Sequence, residues 1–443
     1  MRRIRLPHPL TLLVACVLLA AALSYVVPAG QYDRRDDPAT GRKVVVAGSY
    51  HRVARHPIGV FETFVNIPKG MTDAASVIFY VFLVGGAFAV VDRTGALRRV
   101  VDGLASADAL VIPVACIVFW LGGTLIQMQE ELIAFVPVLL LLTCRLGYSA
   151  LTAVAMSIGA AAVGAAFSPI NPFQVGIAQK VAALPILSGW AYRTAVALPA
   201  LAVWIWATMR HAARTRSAAG APPGAGLVET AGRRQTAVLC LVLGTFALFV
   251  YGVLHLGWDF DQLAALFFIL GLLAGMIGGL GLAGTADALV EGYRSMAFAA
   301  LLIGFARAIY IVLDQGHIVD TVVYALATPL AHLPVALSAV GMMAVHILVH
   351  VPVPSTSGQA VLTLPVLVPV SDLIGLSRQV TVLAYQYGAG LCELLTPTNG
   401  ALMAMLVAAG VRYEEWCRFA VPVVAGLALL GIGAIVLAIA GGV

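Results

Sequence analysis

Charged residues are scarce in this chain of 443 residues. Asp, Glu, Lys and Arg together make up 11% of it, whereas soluble domains contain about 25%. Hydrophobic residues make up 61%, and the mean hydropathy is +0.97. This composition excludes a soluble domain with a single anchor and predicts a helical protein that crosses the membrane several times. The alternating strands of about ten residues that are typical of transmembrane barrels are also lacking.

The chain also lacks the patterns that carry several other functions. Its six cysteines have no paired spacing, which excludes a disulfide framework and a cysteine-ligated metal site. A Walker motif is missing, and this argues against an ATP-driven pump. The net charge of +5 comes from basic residues in short loops, which is typical of topology signals rather than of a nucleic-acid-binding surface. We therefore expect no cofactor, no resident metal and no nucleic-acid partner.

Apolar runs of full spanning length recur along the chain, and basic residues predict their orientation. The segment MRRIR precedes the first run, which places the N-terminus in the cytoplasm. Residues 29–75 are then expected outside, with an amphipathic stretch at 56–70. A loop at 209–234, with glycine, proline and five arginines, is predicted to be cytoplasmic. We expect a multi-pass protein of a bacterial-type cytoplasmic membrane. Further full spans are predicted near 76–92, 184–208, 235–254, 263–280, 298–313 and 418–440.

Two pairs of apolar runs are too short to cross a hydrocarbon core of about 30 Å comfortably. The first pair, 109–145, surrounds the polar tip QMQEE (127–131), and the second pair, 334–374, surrounds PSTSGQ (354–359). Each pair is predicted to form a re-entrant hairpin, the first from the cytoplasm and the second from outside. Such backbone is tolerated only where protein or a water-filled cavity covers it.

Each predicted hairpin is followed by a long apolar run that contains a helix breaker. The run 148–181 contains SPIN (168–171), and the run 379–410 contains TPTN (396–399). The two motifs align when the sequence is shifted by 228 residues. One proline, one glycine and one serine upstream align in the same frame: Pro137 with Pro365, Gly147 with Gly375 and Ser149 with Ser377. These features predict two broken helices. An odd number of crossings between the halves predicts that the repeat is inverted.

The repeat predicts both the fold class and the division of the chain. The fold class is an all-α polytopic membrane protein with two re-entrant hairpins and two broken helices. Residues 1–208 are predicted to form the first repeat, 209–262 a cytoplasmic linker with a connecting span, and 263–443 the second repeat.

Paired breaks in an inverted repeat predict a binding site near the bilayer midplane. A half-helix N-terminus favours anions, and free carbonyl groups can take a cation. The alternatives are a proline kink packed by a neighbouring helix and a capped turn at the membrane surface. The predicted substrate- or ion-binding residues are Ser168, Asn171, Ser355, Thr356, Ser357, Gly358, Gln359, Thr396, Thr398 and Asn399.

Ionisable residues at membrane depth are expensive and are usually functional. Glu130 and Glu131 at the first tip are predicted to carry protons, coordinate a cation or contact a substrate amine; otherwise they are interfacial. Glu393 lies one turn before TPTN and is a further coupling candidate. Arg307 is expected to pair with Asp314 or with a substrate anion.

His346 and His350 stand four residues apart on one predicted helix face. The spacing suits a metal, but neither a third ligand nor an HExxH glutamate accompanies them, so core histidines are expected. A protonatable role for His350 stays open. A membrane-embedded, metal-dependent enzyme using both histidines is the alternative function. A passive channel is another, although it needs a continuous polar lining.

Several segments taken together resemble one known family. HPLTLL, VPAGQYDR, VGGAFAVVDRTGA, INPF, GFARAI, SGQAVLTLPVLVPVSDLIGLSRQ and TPTNGALMA are similar to the YfcC-like branch of the anaerobic dicarboxylate carrier (DcuC-like) family, in the ion transporter superfamily. The similarity covers nearly the whole length. It implies an elevator-type secondary transporter of dicarboxylates, amino acids or related carboxylates, driven by Na⁺ or H⁺ or by exchange. Relatives in this superfamily often form homodimers.

One segment departs from the pattern of that family. Where relatives often read FGDGLTN, residues 387–393 read YGAGLCE. Ala389 stands at the position of the expected acid, and Glu393 stands about one helical turn later, on the same face. The residues therefore leave dicarboxylates and amino acids, including basic ones, equally open as substrates. They also leave open sodium or proton coupling, and symport or exchange.

Overall fold

The computed structural model describes residues 9–38, 42–96, 108–216 and 232–442, and most of this length is helical. The helices before the predicted linker are α1 (Pro9–Val26), α2 (Val60–Asp73), α3 (Ala75–Arg93), α4 (Asp108–Ile126), α5 (Val136–Arg145), α6 (Ala150–Val154), α7 (Ala160–Ala166), α8 (Ile177–Val181) and α9 (Trp190–Thr215). Those after it are α10 (Arg233–His255), α11 (Phe260–Gly278), α12 (Gly281–Gln315), α13 (Val319–Ala327), α14 (Val335–His350), α15 (Thr356–Leu373), α16 (Arg378–Cys392), α17 (Gly400–Ala408) and α18 (Tyr413–Gly441). Most of the predicted linker at 209–234 lies outside the described residues.

Four short segments of 3-10 or π-helix lie between these α-helices in the part of the chain that the structure describes. Turns of 3-10 helix occur at Glu130–Phe135 and Thr328–His332, and π-helical turns at Ala155–Gly159 and Pro172–Gly176. Proline at or near the first position explains why the turns at Pro172–Gly176 and Thr328–His332 begin where they do, since proline lacks the N–H that a helix interior needs. The other two have no proline: the turn at Glu130–Phe135 leads into α5, and the turn at Ala155–Gly159 lies between α6 and α7.

The segment predicted to lie outside contains strands, so the all-α prediction is wrong for it. Strand β1 (Gly30–Gln31) pairs antiparallel with β4 (His51–Arg52), and β2 (Arg34–Asp37) pairs antiparallel with β3 (Arg42–Val45). The strands are two to four residues long. At that length no hydrophobic alternation could be recognised beside the strong helical signal.

Within the described residues, five helices are long and apolar enough to cross a membrane by length and composition: α1, α3, α11, α12 and α18. Helix α12 differs from its prediction, which separated an amphipathic segment from a span at 298–313. The structure joins both into one helix of 35 residues, about 52 Å long. This length exceeds the hydrocarbon core of about 30 Å, so the polar first turns can lie beyond it.

One group of helices, α1–α3 with α10–α12, packs around the contact between α3 and α12. Glycines allow this contact to be very close. A Cβ added at Gly292 of α12 would lie 2.6 Å from the carbonyl oxygen of Gly85 of α3. On α2, a Cβ at Gly70 would lie 2.5 Å from the carbonyl oxygen of Gly304. The backbones of this group are therefore in contact without intervening side chains.

The second group contains the segments predicted as hairpins, 109–145 and 334–374, and the two breaks. Helix α4 packs on α7, α14 and α15 both pack on α16, and α8 packs on α15. The two groups meet where α12 contacts α17 and where α3 contacts the 3-10 turn at Glu130–Phe135. Consequently, the first polar tip and the second break lie at the boundary between the groups.

Candidate functional site

The first break, between α7 and the turn at Pro172–Gly176, is held by its own polar side chains. The Ser168 hydroxyl accepts the backbone N–H of Asn171 at 2.8 Å and donates to the carbonyl of Thr124 at 2.8 Å. The Asn171 side-chain oxygen accepts two backbone N–H groups of the following turn, and its amide donates to the carbonyl of Gly123 at 2.8 Å. Ser168 and Asn171 are completely buried. Their side chains therefore fasten the break to the end of α4.

A carbonyl freed by this break is satisfied from the other half of the chain. The Gln386 amide on α16 donates to the carbonyl of Ser168 at 2.6 Å. Gln386 is in turn held by Arg193 of α9, whose Nε donates to its side-chain oxygen at 3.2 Å. Arg193 is 1% exposed and also donates to Gln379 and to the carbonyl of Ser188. This network ties the two broken helices together.

The second break, between α16 and α17, is bound to the end of the second hairpin. The Asn399 side-chain oxygen accepts the N–H of Leu402 at 3.1 Å, which caps α17, and its amide donates to the carbonyl of Glu393 at 3.2 Å. Thr398 donates to the carbonyl of Val351 at 2.6 Å. Thr396 contacts the Thr398 hydroxyl at 2.9 Å.

Two adjoining cavities lie between the second break and the two hairpin tips. We call them the large cavity, of about 500 Å³, and the acidic cavity, of about 240 Å³. Ligand pockets usually measure about 300–1,000 Å³. The residues that line both cavities are Glu130, Pro354, Ser355 and Asn399. We call the place where these four residues line both cavities the junction. Ser355 caps α15 and Asn399 caps α17, so two helix N-termini with partial positive charge meet at the junction.

The large cavity carries charges of both signs. Its charged lining residues are Arg34, Lys43, Asp73, Glu130 and Arg307. Arg34 forms an ion pair with Asp320 at 2.9 Å, and Arg307 forms one with Asp73. Lys43 has no ion-pair partner among the described residues. The two arginines are thus each balanced by an aspartate, whereas Lys43 is not balanced by any residue that the structure describes.

The ion pair of Arg307 corrects a prediction from the sequence. Pairing with Asp314 was expected because both lie in one apolar run, but Asp314 is seven residues further along α12. Seven residues of helix span about 10 Å, which is too far for an ion pair. Arg307 instead reaches Asp73 of α2, and its side chain remains 41% exposed towards the cavity.

The acidic cavity is lined by four carboxyl groups, and no Lys, Arg or His is found among its described lining residues. The carboxyl groups belong to Glu130, Glu131, Asp259 and Glu393. The Gln129 amide donates to the Glu393 carboxylate, and the Gln129 backbone N–H donates to Glu131 at 3.0 Å. Aromatic walls are provided by Phe173, Trp258 and Phe260. Carboxylates and aromatic faces together can hold a cation.

The structure brings most of the predicted site residues to these cavities. Thr398 and Gly358 line the large one, and Thr356 and Ser357 line the acidic one. The two hairpin tips touch directly, because the Gln127 amide donates to the Thr356 hydroxyl at 2.6 Å.

Five predicted residues lie apart from the lining of both cavities: Ser168, Asn171, His350, Gln359 and Thr396. The Gln359 amide lies between two histidine rings, 3.0 Å from Nδ1 of His350 and 3.1 Å from Nδ1 of His346. All three side chains are completely buried. Among the residues described, no three His, Cys, Asp or Glu side chains gather where a metal could bind.

Several lining residues were not predicted from the sequence. Gln127 and Gln129 could have been predicted, because amide side chains in an apolar segment are as unusual as the neighbouring glutamates. Trp258 and Asp259 lie in an ordinary turn before α11. Lys43 lies on a strand that was not predicted, so no pattern indicated that it faces the cavity.

The profile of the DcuC family, described as C4-dicarboxylate anaerobic carrier, matches residues 6–440. The chain belongs to this family. The resemblance found in the sequence motifs is therefore confirmed, and the protein is a multi-pass membrane protein of a carrier family.

Two relatives match along nearly their whole length. One, from Escherichia coli (strain K12), bears the name "Putative basic amino acid antiporter YfcC"; it is 30% identical, and the match covers 97% of this chain and 94% of the relative. The other is an uncharacterized protein of Haemophilus influenzae, 28% identical, with 96% and 95% covered.

Among solved structures, the chain aligns with the YdaH transporter of Alcanivorax borkumensis at a TM-score of 0.46 and 17% identity, covering 99% of each chain. It aligns with MtrF of Neisseria gonorrhoeae, from a class of antimetabolite efflux pumps, at a TM-score of 0.43 and 17% identity, covering 97% and 94%. Both scores are below 0.5, where backbone similarity does not establish a common fold.

Proposed function

We propose that this carrier is an elevator-type secondary active transporter of amino acids, preferentially basic ones, across the cytoplasmic membrane. The observation that carries the proposal is the junction of two cavities with different charge. The acidic cavity suits a cationic group, and the junction with its two helix N-termini suits a carboxylate. An amino acid carries both groups on one small molecule. The name of the Escherichia coli relative supports a basic amino acid.

A dicarboxylate is the second candidate substrate. The description of the family favours it, and so do the three cationic side chains of the large cavity. However, a dicarboxylate would leave Glu130, Glu131 and Glu393 of the acidic cavity without a counter-charge. Charged groups at membrane depth are stable only when they are paired or hydrated. An amino acid therefore matches the whole lining better.

The carboxyl groups of the acidic cavity also suggest how transport is coupled. When the site is empty, Glu130, Glu131 and Glu393 have no cationic partner among the described residues of the acidic cavity, and moving them through the membrane is unfavourable. A sodium ion, a proton or a second substrate cation would lower this barrier. We therefore expect exchange of one amino acid for another to be faster than net uptake.

The two groups of helices suggest which part moves. In our proposal the group around α3 and α12 stays fixed, and the group with hairpins 109–145 and 334–374 carries the site across. The hairpins are re-entrant, and the N-terminus is cytoplasmic. The glycine contacts of α3 and α12 support a rigid scaffold, and the position of both cavities at the group boundary supports alternating access.

Thermal unfolding of the purified protein in detergent tests the substrate class. Arginine, lysine, alanine and succinate are compared, each with and without sodium. A ligand at 100 times its Kd stabilises the folded state by about 2.7 kcal/mol. We expect arginine and lysine to raise the midpoint most and the Glu393→Gln variant to lose this response. Stabilisation by succinate alone would overturn the amino acid assignment.

A further inference from the structure

The strand pair β2–β3 forms one wall of the large cavity. Side chains alternate between the two faces of a strand. Arg34 and Lys43 therefore face the large cavity together with Val45. Arg35 and Val44 face the opposite way, towards a separate groove. A predicted external segment thus contributes side chains to a cavity whose floor is made by the hairpin tip and the second break.

This strand pair is anchored rather than free in solution. Asp320 of α13 accepts the Arg34 guanidinium and the backbone N–H of Tyr32, both at 2.9 Å. Tyr50 stacks on Tyr324 of the same helix with ring centroids 4.1 Å apart. Strand β3 also packs on α15. These contacts hold the backbone of β2 and β3 in a defined position over the cavity.

Charge pairing within the wall distinguishes Lys43 from the two arginines. The Arg34 and Arg307 charges are each balanced by one aspartate, as described above. Lys43 has no ion-pair partner among the described residues, although Asp36 is its cross-strand neighbour and lies on the same face. Lys43 is therefore the cation of the large cavity that is available to an incoming anion.

We propose that Lys43 is a specificity-determining residue that binds the carboxylate of the substrate on the side of the strands. This inference rests on the proposed function. In it, the substrate carboxylate lies between the Lys43 ammonium and the helix N-termini at Ser355 and Asn399, while the cationic group enters the acidic cavity. Lys43 would thus select molecules that carry a carboxylate as well as a cation.

Arginine and agmatine provide a matched pair of probes, because agmatine has the same guanidinium but no carboxylate. Their Kd values are measured by isothermal titration calorimetry on the purified full chain and on Lys43→Gln. A charge-assisted contact predicts that the wild type binds arginine about tenfold more tightly than agmatine. Lys43→Gln is expected to reduce this ratio to about twofold or less while leaving the Kd for agmatine unchanged, and Lys43→Arg is expected to restore the ratio.

Two variants on the same strands serve as controls. Arg35→Gln removes a cation on the opposite face and is expected to keep the wild-type ratio. Asp36→Asn removes the charge beside Lys43 and is also expected to keep the wild-type ratio. If this variant lost the ratio as well, Lys43 would act through the strand pair rather than on the ligand, and the proposal would be overturned. An unchanged ratio in Lys43→Gln would also overturn it while leaving the proposed function intact. A wild type that binds neither probe would overturn both.

Discussion

At the scale of single residues, Gln129 connects the two halves of the site. It lies at the tip of the first hairpin, is 4% exposed, and donates to the Glu393 carboxylate beside the second break. A hydrogen bond to a charged group contributes about 1.5–3 kcal/mol. Gln129 therefore positions the Glu393 carboxylate in the acidic cavity.

We predict that Gln129→Leu weakens arginine binding by about tenfold or more, since the freed carboxylate can turn away from the ligand. The measurement is the Kd of the purified variant by calorimetry. Gln235→Leu is the control, because Gln235 only caps the N-terminus of α10 at an exposed position. Equal arginine affinity in the wild type and Gln129→Leu would contradict the role of Gln129.

The sequence could indicate some of these residues and not others. Glu130, Glu131 and Glu393 were predicted because a carboxyl group in an apolar run is visible without any structure. The ion pair of Arg307 was not, since its partner lies on another helix and spacing within one helix gives no information about it. Whether the predicted residues bind substrate stays a prediction.

At the scale of elements, the two breaks have the same cap but different surroundings. The Asn171 and Asn399 side chains each cap the helical turn that follows a break. The Asn171 side chain is surrounded by protein, whereas Asn399 lines both cavities. The first break therefore has mainly a holding role in this structure, and the second faces the ligand.

This difference predicts two distinct phenotypes. Asn171→Ala should lower the free energy of unfolding by about 1–2 kcal/mol through loss of the cap and of the contact to Gly123. Asn399→Ala should reduce the free energy of arginine binding by more than it reduces the free energy of unfolding. Thermal unfolding and calorimetry on both variants check this. The same loss of affinity in both, at unchanged stability, would contradict the assignment.

A second prediction at this scale concerns the contact between α3 and α12. Gly292→Ala should destabilise the protein by about 1–3 kcal/mol, because the added methyl group meets the backbone of Gly85. Gly244→Ala on α10 is the control, since a Cβ there meets no atom within 4 Å. Unfolding in detergent measures both variants. A Gly292→Ala variant as stable as its control would show that the two helices do not pack as described.

The elements themselves could be predicted from the sequence to different extents. Long apolar helices such as α3, α11 and α18 coincide closely with predicted spans, because burial in lipid imposes a long hydrophobic run. The strands at residues 30–52 were missed because each is too short for its pattern to be seen. The join within α12 was missed because its polar residues suggested a boundary.

At the scale of the whole molecule, the proposed orientation has a direct consequence. Residues 29–75 should be accessible from outside, and 209–234 from the cytoplasm. We predict that an impermeant maleimide labels Arg55→Cys in intact cells and labels Ala213→Cys only after permeabilisation. The two exposed native cysteines, Cys144 and Cys240, are first replaced by serine. The reverse pattern would invert the proposed topology.

Counterflow in proteoliposomes tests the central claim most directly. Vesicles that contain the purified protein are loaded with unlabelled arginine, and the entry of radiolabelled arginine is followed. We predict that label accumulates faster in loaded than in empty vesicles, and that Glu393→Gln abolishes the difference because the acidic cavity then loses a charge that holds the cation. If arginine entered no faster than into vesicles without protein, while succinate accumulated in succinate-loaded vesicles, the amino acid carrier would be contradicted in favour of a dicarboxylate carrier.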